Sequence, residues 1–415
     1  MKNKTFIIFI LFSILSSTLN GQELLKRYLE TAAKNSPALK ARFNEYQAEL
    51  QKIPQVGTLP DPQVSFGYFI RPVETRVGPQ HARISVSQMF PWFGTLNNKE
   101  NQYIQKAKAS YESFMDAKIR LFYEVKSAYF DLYLTRKAVE ITQDNLEILN
   151  SFKQIAISKI ESGTVGIIDG LYIDIRINDL ENQLAKLRDK DHFQRVKFNK
   201  LLNVNSDEKV IIPDSLWTND LIYSRQAVLD TLRNSNHQLR SLQFTAEALN
   251  IKEKVARDAG KPSFNLGLDY MVIGSSDNAS LNSSISGRDA LMFPMIGVRI
   301  PLYRDKYNAM IQEAIFLQNA NDNKMEQKKN SLETAFEMAH KEYKDSKRRL
   351  SLFMKQKQLT RQALEILKAE YSTASKEFEE LLRVEQKLLH YRLELEKARS
   401  DKQASIAFIY YLMGK

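Results

Sequence analysis

The residue types that usually carry catalysis or metal binding are sparse in this 415-residue chain, and their spacing is poor. Five histidines, His81, His192, His237, His340 and His390, are scattered along it. None forms an HExxH motif or a pair set one turn apart on a helix, so the pattern offers no zinc-hydrolase site and no histidine metal centre. Cysteine is absent, which excludes disulfides, thiolate zinc sites, cysteine nucleophiles and a lipidated N-terminal cysteine. Gly163, Gly166 and Gly170 lack the spacing and the lysine of a phosphate loop, and fit a turn better. The expectation is a protein that is not an enzyme, with no cofactor and no bound metal.

Composition narrows the class. The chain is 43% apolar, 10% aromatic and 26% charged, which excludes disordered and collagen-like sequence. Glycine at 14 and proline at 11 are few for this length, as long uninterrupted helices require. Lys2 and Lys4 precede an apolar run from Phe6 to Leu15, and the small, polar "SSTLNGQ" follows. This order reads as a secretory signal peptide, residues 1–21, because the apolar run is too short to span a bilayer. The formal charge is +11, but Lys and Arg alternate with Glu and Asp along helices, so solvated helix faces are expected and no nucleic-acid partner.

The elements repeat. "NSPAL" at 35–39 is echoed by "NSNHQL" at 234–239, and each precedes a helical stretch, a proline and an alternating strand. Each half then has a second strand ending in proline and an aromatic residue, followed by more than a hundred residues without proline, ending in "LLNV" (201–204) and "YLMG" (411–414). An internal duplication is expected. The first repeat is 22–204, with strands about 62–71 and 82–91 and a long helical hairpin over 95–203. A linker covers 205–222, and the second repeat, 223–415, has strands about 262–273 and 291–301 and a hairpin over 305–413. Ile173, Ile177, Leu180, Leu184 and Leu187, like Leu381, Val384, Leu388, Tyr391, Leu395 and Ala398, alternate spacings of three and four. Such stripes bury against neighbouring helices. A helix of roughly 65 residues is on the order of 100 Å long, too long for an ordinary globular domain.

All four strands alternate. Val64, Phe66, Tyr68 and Ile70 oppose Gln63, Ser65, Gly67 and Phe69, while Phe264, Leu266, Leu268, Tyr270 and Val272 oppose Ser263, Asn265, Gly267 and Asp269. Ile84 and Val86 oppose Arg83, Ser85 and Ser87, and Ile296, Val298 and Ile300 oppose Gly297 and Arg299. Two readings fit: hairpins of a soluble sheet covered by helices, or membrane-spanning strands with lipid on the apolar face and water on the polar one. Four strands cannot close a barrel, so the second reading requires at least three copies of the chain. The polar stretches "RPVETRVGPQH" and "GSSDNASLNSSISG" are expected to be the loops between paired strands.

At this point the sequence resembles the TolC-like outer-membrane efflux proteins. The order of strands and hairpins matches over the whole mature chain, as do "TLPDP", "SQMFPWFG" and the tip residues Gly163, Asp169 and Leu171, with Ala374, Glu380 and Leu382 as counterparts. The "LPDP" start resembles the heavy-metal efflux branch of that family. The resemblance implies a mainly helical protein with a transmembrane β-barrel part. Three chains would form a twelve-stranded outer-membrane barrel continued by a periplasmic α-helical barrel. It implies a passive exit duct in the outer membrane, with outer-membrane lipid around it. Its partners would be a periplasmic adaptor protein and an inner-membrane transporter of the resistance-nodulation-division type. Carried over residue by residue, the gate falls on Asp169, Tyr371 and Lys376, with the carboxylate accepting hydrogen bonds from the other two. Two rings of the bore fall on Glu380 and Arg383, where the arginine departs from the family's acidic pair. Adaptor docking falls on Gly163, Thr164, Ala374 and Ser375. The rival reading is a periplasmic or surface coiled-coil scaffold without a channel.

Overall fold

A computed structural model describes residues 21–275, 289–373 and 378–415. The expected signal peptide, apart from Gly21, lies outside these residues, as do most of the 274–287 loop and Ala374, Ser375 and Lys376. In chain order the elements are α1 (Gly21–Asn35), α2 (Pro37–Gly57), β1 (Gln63–Thr75), β2 (Gly78–Phe90), α3 (Thr95–Glu161) and α4 (Ile167–Leu202). They continue with α5 (Arg225–Ser235), α6 (His237–Ala259), β3 (Ser263–Ile273), β4 (Ala290–Arg299), α7 (Arg304–Thr373) and α8 (Phe378–Leu412). The chain divides into two compact units. One holds residues 1–41, 115–236 and 329–415, and the other 42–114 and 237–328.

The second unit contains the sheet, antiparallel throughout in the order β1-β2-β3-β4. The register aligns the alternation across strands: Phe66 pairs with Ile84 and Ile84 with Tyr270, while Val64 pairs with Val86 and Val86 with Leu268. Leu266 pairs with Ile296 and Phe264 with Val298. One face is therefore a continuous apolar surface, and it is open, with Phe66 70% exposed. Ser65, Ser85 and Asp269 form a row on the other face, where Arg83 bonds to both the Ser85 hydroxyl and the Asp269 carboxylate.

The first pair of strands runs further than expected. β1 continues to Thr75 and β2 begins at Gly78, so most of the stretch expected to be loop is strand. The register shifts between Tyr68 and Val73, which accommodates Pro72 where a regular ladder needs an N–H. The turn depends on Gly78, whose φ is +135° and whose missing Cβ would stand 1.8 Å from the Gly274 carbonyl oxygen. The Thr75 hydroxyl donates to the Gly78 carbonyl at 2.6 Å and closes it.

The first unit is helical. Ile141, Leu149 and Phe152 of α3, Ile173 and Leu180 of α4, Leu364 and Tyr371 of α7, and Leu381 and Leu388 of α8 share one core. A second core joins Leu25 of α1 to Tyr129 and Tyr133 of α3, Phe198 of α4, and Val210 and Leu216 of the non-helical 203–224 segment. That segment is tied down along its length. Arg136 donates to the Val210 carbonyl, Lys402 to that of Thr218 and Gln403 to that of Trp217. Asp220 takes Lys347 at 2.7 Å and Lys402 at 2.6 Å, and these two hydrogen bonds pull its carboxyl down to about 2. Where the two "NS" echoes interrupt helices, the far ends of the hairpins meet them. Asn203 donates to the Asn35 carbonyl and Asn236 to that of Leu412.

Candidate functional site

The candidate site is the break between α3 and α4 together with the ends of α7 and α8 that pack on it, all within the first unit. α3 ends in a left-handed cap: the Gly163 N–H reaches the Ile160 carbonyl at 3.0 Å and the Thr164 N–H that of Lys159 at 2.9 Å. Gly163 sits at φ +72°, with open space where a Cβ would project, so the glycine answers to backbone geometry and not to crowding. The hydroxyls of Ser162 and Thr164 also donate to the Lys159 carbonyl, which satisfies the last acceptors of a 67-residue helix. Of the four expected docking residues, Gly163 and Thr164 are exposed at this turn, and Ala374 and Ser375 lie outside the described residues.

Asp169 lies in the first turn of α4, where the helix dipole favours an acid. Tyr371, in the last turn of α7, faces it across the shared core. The Tyr371 ring is 1% exposed and packs on Phe378 at 5.1 Å, with the Lys159 ammonium 4.6 Å from its centroid. Burial, then the nearby Asp169 charge, push the phenol up to about 12. Burial likewise raises the Asp169 carboxyl, and the Tyr371 hydroxyl offsets part of that. The two groups therefore sense each other. The Tyr371 hydroxyl lies close enough to the Asp169 carboxylate for each group to shift the other, although the contact falls short of full hydrogen-bond geometry. What surrounds the ring is apolar: Phe378, Leu381 and Leu382 belong to the same core. Lys376, the third expected gate residue, lies outside the described residues.

Glu380 and Arg383 stand one turn apart on the exposed side of α8, and the guanidinium reaches the carboxylate at 3.3 Å. An exposed pair of this kind contributes only about 0–1 kcal/mol, but it partly cancels the charge that Glu380 would present to a passing ion.

The residues themselves did not single out Glu385. Its carboxylate is fully buried, with Asn145 of α3 donating to Oε1 and Oε2 without a partner. Burial raises its carboxyl, against the Asn145 hydrogen bond and the Arg176 charge. A signal existed. Leu381, Leu382, Leu388 and Leu389 occupy adjacent pairs seven apart, marking a buried face wide enough to include position 385.

Residues 28–204, which run from α1 to the end of the first hairpin, match the family described as outer membrane efflux protein. Likeness of fold to solved outer-membrane channels extends over nearly the whole chain. The chain superposes on CusC with a TM-score of 0.76 at 17% identity, covering 94% of this chain and 92% of that one. The outer membrane protein VceC of Vibrio cholerae matches with a TM-score of 0.75 at 15% identity, covering 94% and 95%. The open state of the MtrE outer membrane channel of Neisseria gonorrhoeae matches with a TM-score of 0.75 at 16% identity, covering 94% and 88%. At these identities the likeness shows a shared fold. No curated protein matches the sequence.

Proposed function

We propose that this protein is the outer-membrane exit duct of a tripartite efflux pump. It passively conducts substrates delivered by an inner-membrane transporter through a periplasmic adaptor. The observation that carries the reading is the sheet. It presents a continuous open apolar face, a polar opposite face with Arg83 and Asp269, and two unpaired edges, β1 and β4. Lipid tolerates the apolar face but not the edges. Edge-to-edge closure of three copies gives a twelve-stranded barrel with a wet bore, and the hairpins of the same three copies continue it into the periplasm. The proposed gate is the core around Asp169 and Tyr371, and the proposed adaptor contact is the turn at Gly163 and Thr164 with its counterpart at Ala374 and Ser375. The protein divides there into two repeats, 22–204 and 223–415, joined by the anchored linker.

Full-length protein extracted from outer membrane tests the reading. It should run as a heat-labile trimer in detergent and form discrete channels in planar bilayers. A monomer that fractionates with the periplasm and never conducts would support a coiled-coil scaffold instead.

A further inference from the structure

Below the sheet, the second unit encloses an open cavity of about 870 Å³ between the ends of α2, β2, α6 and β4 and the starts of α3 and α7. Three of its lining residues, Met89, Ser263 and Arg299, continue the polar face. Ser263 pairs with Arg299, and Met89 with Asn265, in the same alternation that carries Arg83 and Asp269. The cavity is thus the downward extension of the face assigned to the bore. Its charged lining is three cations, Lys99, Lys261 and Arg299, against two carboxylates, Asp61 and Asp258. Asp258 is already engaged by the Lys261 ammonium at 2.7 Å and by the Asn98 amide at 2.7 Å. That leaves Lys99 and Arg299 opposite Asp61 alone, and neither cation forms an ion pair among the described residues.

Arg83 is bonded to Asp269 on the sheet, and Arg383 to Glu380 near the hairpin ends. A site of uncompensated charge on the bore face biases the choice of ion, as rings of charged side chains do in other pores.

We infer that Lys99 and Arg299 make this duct prefer anions, so that its cargo is anionic or neutral organic molecules and not metal cations. The inference rests on the duct reading and adds the substrate class to it. With three chains around one bore, the two cations are repeated threefold. Tyr103 and Tyr303 line the same space and offer ring faces to organic anions that carry an aromatic part.

Reversal potentials across planar bilayers test this, with full-length protein and a potassium chloride gradient near 0.1 M, where charges are felt over about 10 Å. The expected result is chloride over potassium for the parent. The preference should be lost in Lys99→Gln/Arg299→Gln, kept in Lys99→Arg/Arg299→Lys and strengthened in Asp61→Asn. Should the double glutamine variant fail to insert, Asp61→Asn decides alone. Potassium preference in the parent, or chloride preference that ignores all three variants, would overturn the inference and leave the duct standing. Absence of any channel would instead sink the duct reading and this one with it.

Discussion

Tyr371 decides what holds the proposed gate. If the closed state depends on a hydrogen bond to Asp169, Tyr371→Phe should open it. The structure argues otherwise, because the hydroxyl is buried and its contact with Asp169 falls short of full hydrogen-bond geometry, and an unsatisfied buried group costs about 1–3 kcal/mol. Replacing it with hydrogen removes that penalty and the modest attraction of the Asp169 charge together, for a net change within about 1 kcal/mol of either sign. The ring is another matter. It is 1% exposed and touches Phe378 and Lys159, and truncating a buried aromatic side chain to alanine costs about 3–5 kcal/mol. In a trimer each effect acts three times. Single-channel recording in planar bilayers should show Tyr371→Phe close to the parent and Tyr371→Ala conducting far more. Acid should favour the conformation described here. Burial raises the Asp169 carboxyl in it, so it holds the proton more tightly and gains as pH falls toward the ordinary carboxylate range. Equal conductance gains in Tyr371→Phe and Tyr371→Ala would show that the hydroxyl–carboxylate contact, and not the apolar core, keeps the duct shut.

Three further outcomes are expected. The raised carboxyl of Glu385 contributes stability below the ordinary glutamate range and loses it as pH rises through its folded value. Glu385→Gln keeps an acceptor for Asn145, and should flatten the fall in thermal midpoint expected of the parent between acid and neutral pH, as measured by circular dichroism. Leu268→Arg, on the open apolar face, should cost about 2–4 kcal/mol in lipid and deplete membrane-inserted trimer, whereas Asn265→Arg on the polar face should leave the yield unchanged. Gly163→Ala forces a Cβ into left-handed backbone, a strain of about 1–2 kcal/mol. It should weaken capture of the cognate adaptor in pull-down while trimer abundance holds.

Local chemistry was legible in the sequence and contact geometry was not. Period-two alternation identified all four strands, because each exposes one whole face and nothing in the chain overrides it. Spacings of three and four identified the hairpin helices for the converse reason, that buried positions recur along one side of them. The strand ends of the first pair were misjudged because "RPVETRVGP" has turn composition, yet a register shift absorbs Pro72 and a single glycine makes the turn. The site is harder still. Asp169 and Tyr371 are about two hundred residues apart, and a resemblance can place them together without saying whether a hydroxyl is aligned. That depends on how α7 seats against α4, which the shared core of four helices sets. The same core buries Glu385 beside Asn145. A carboxyl held there weakens that packing, which suits the proposed gate: apolar contacts enough to close it, and one buried acid that keeps them from closing it for good.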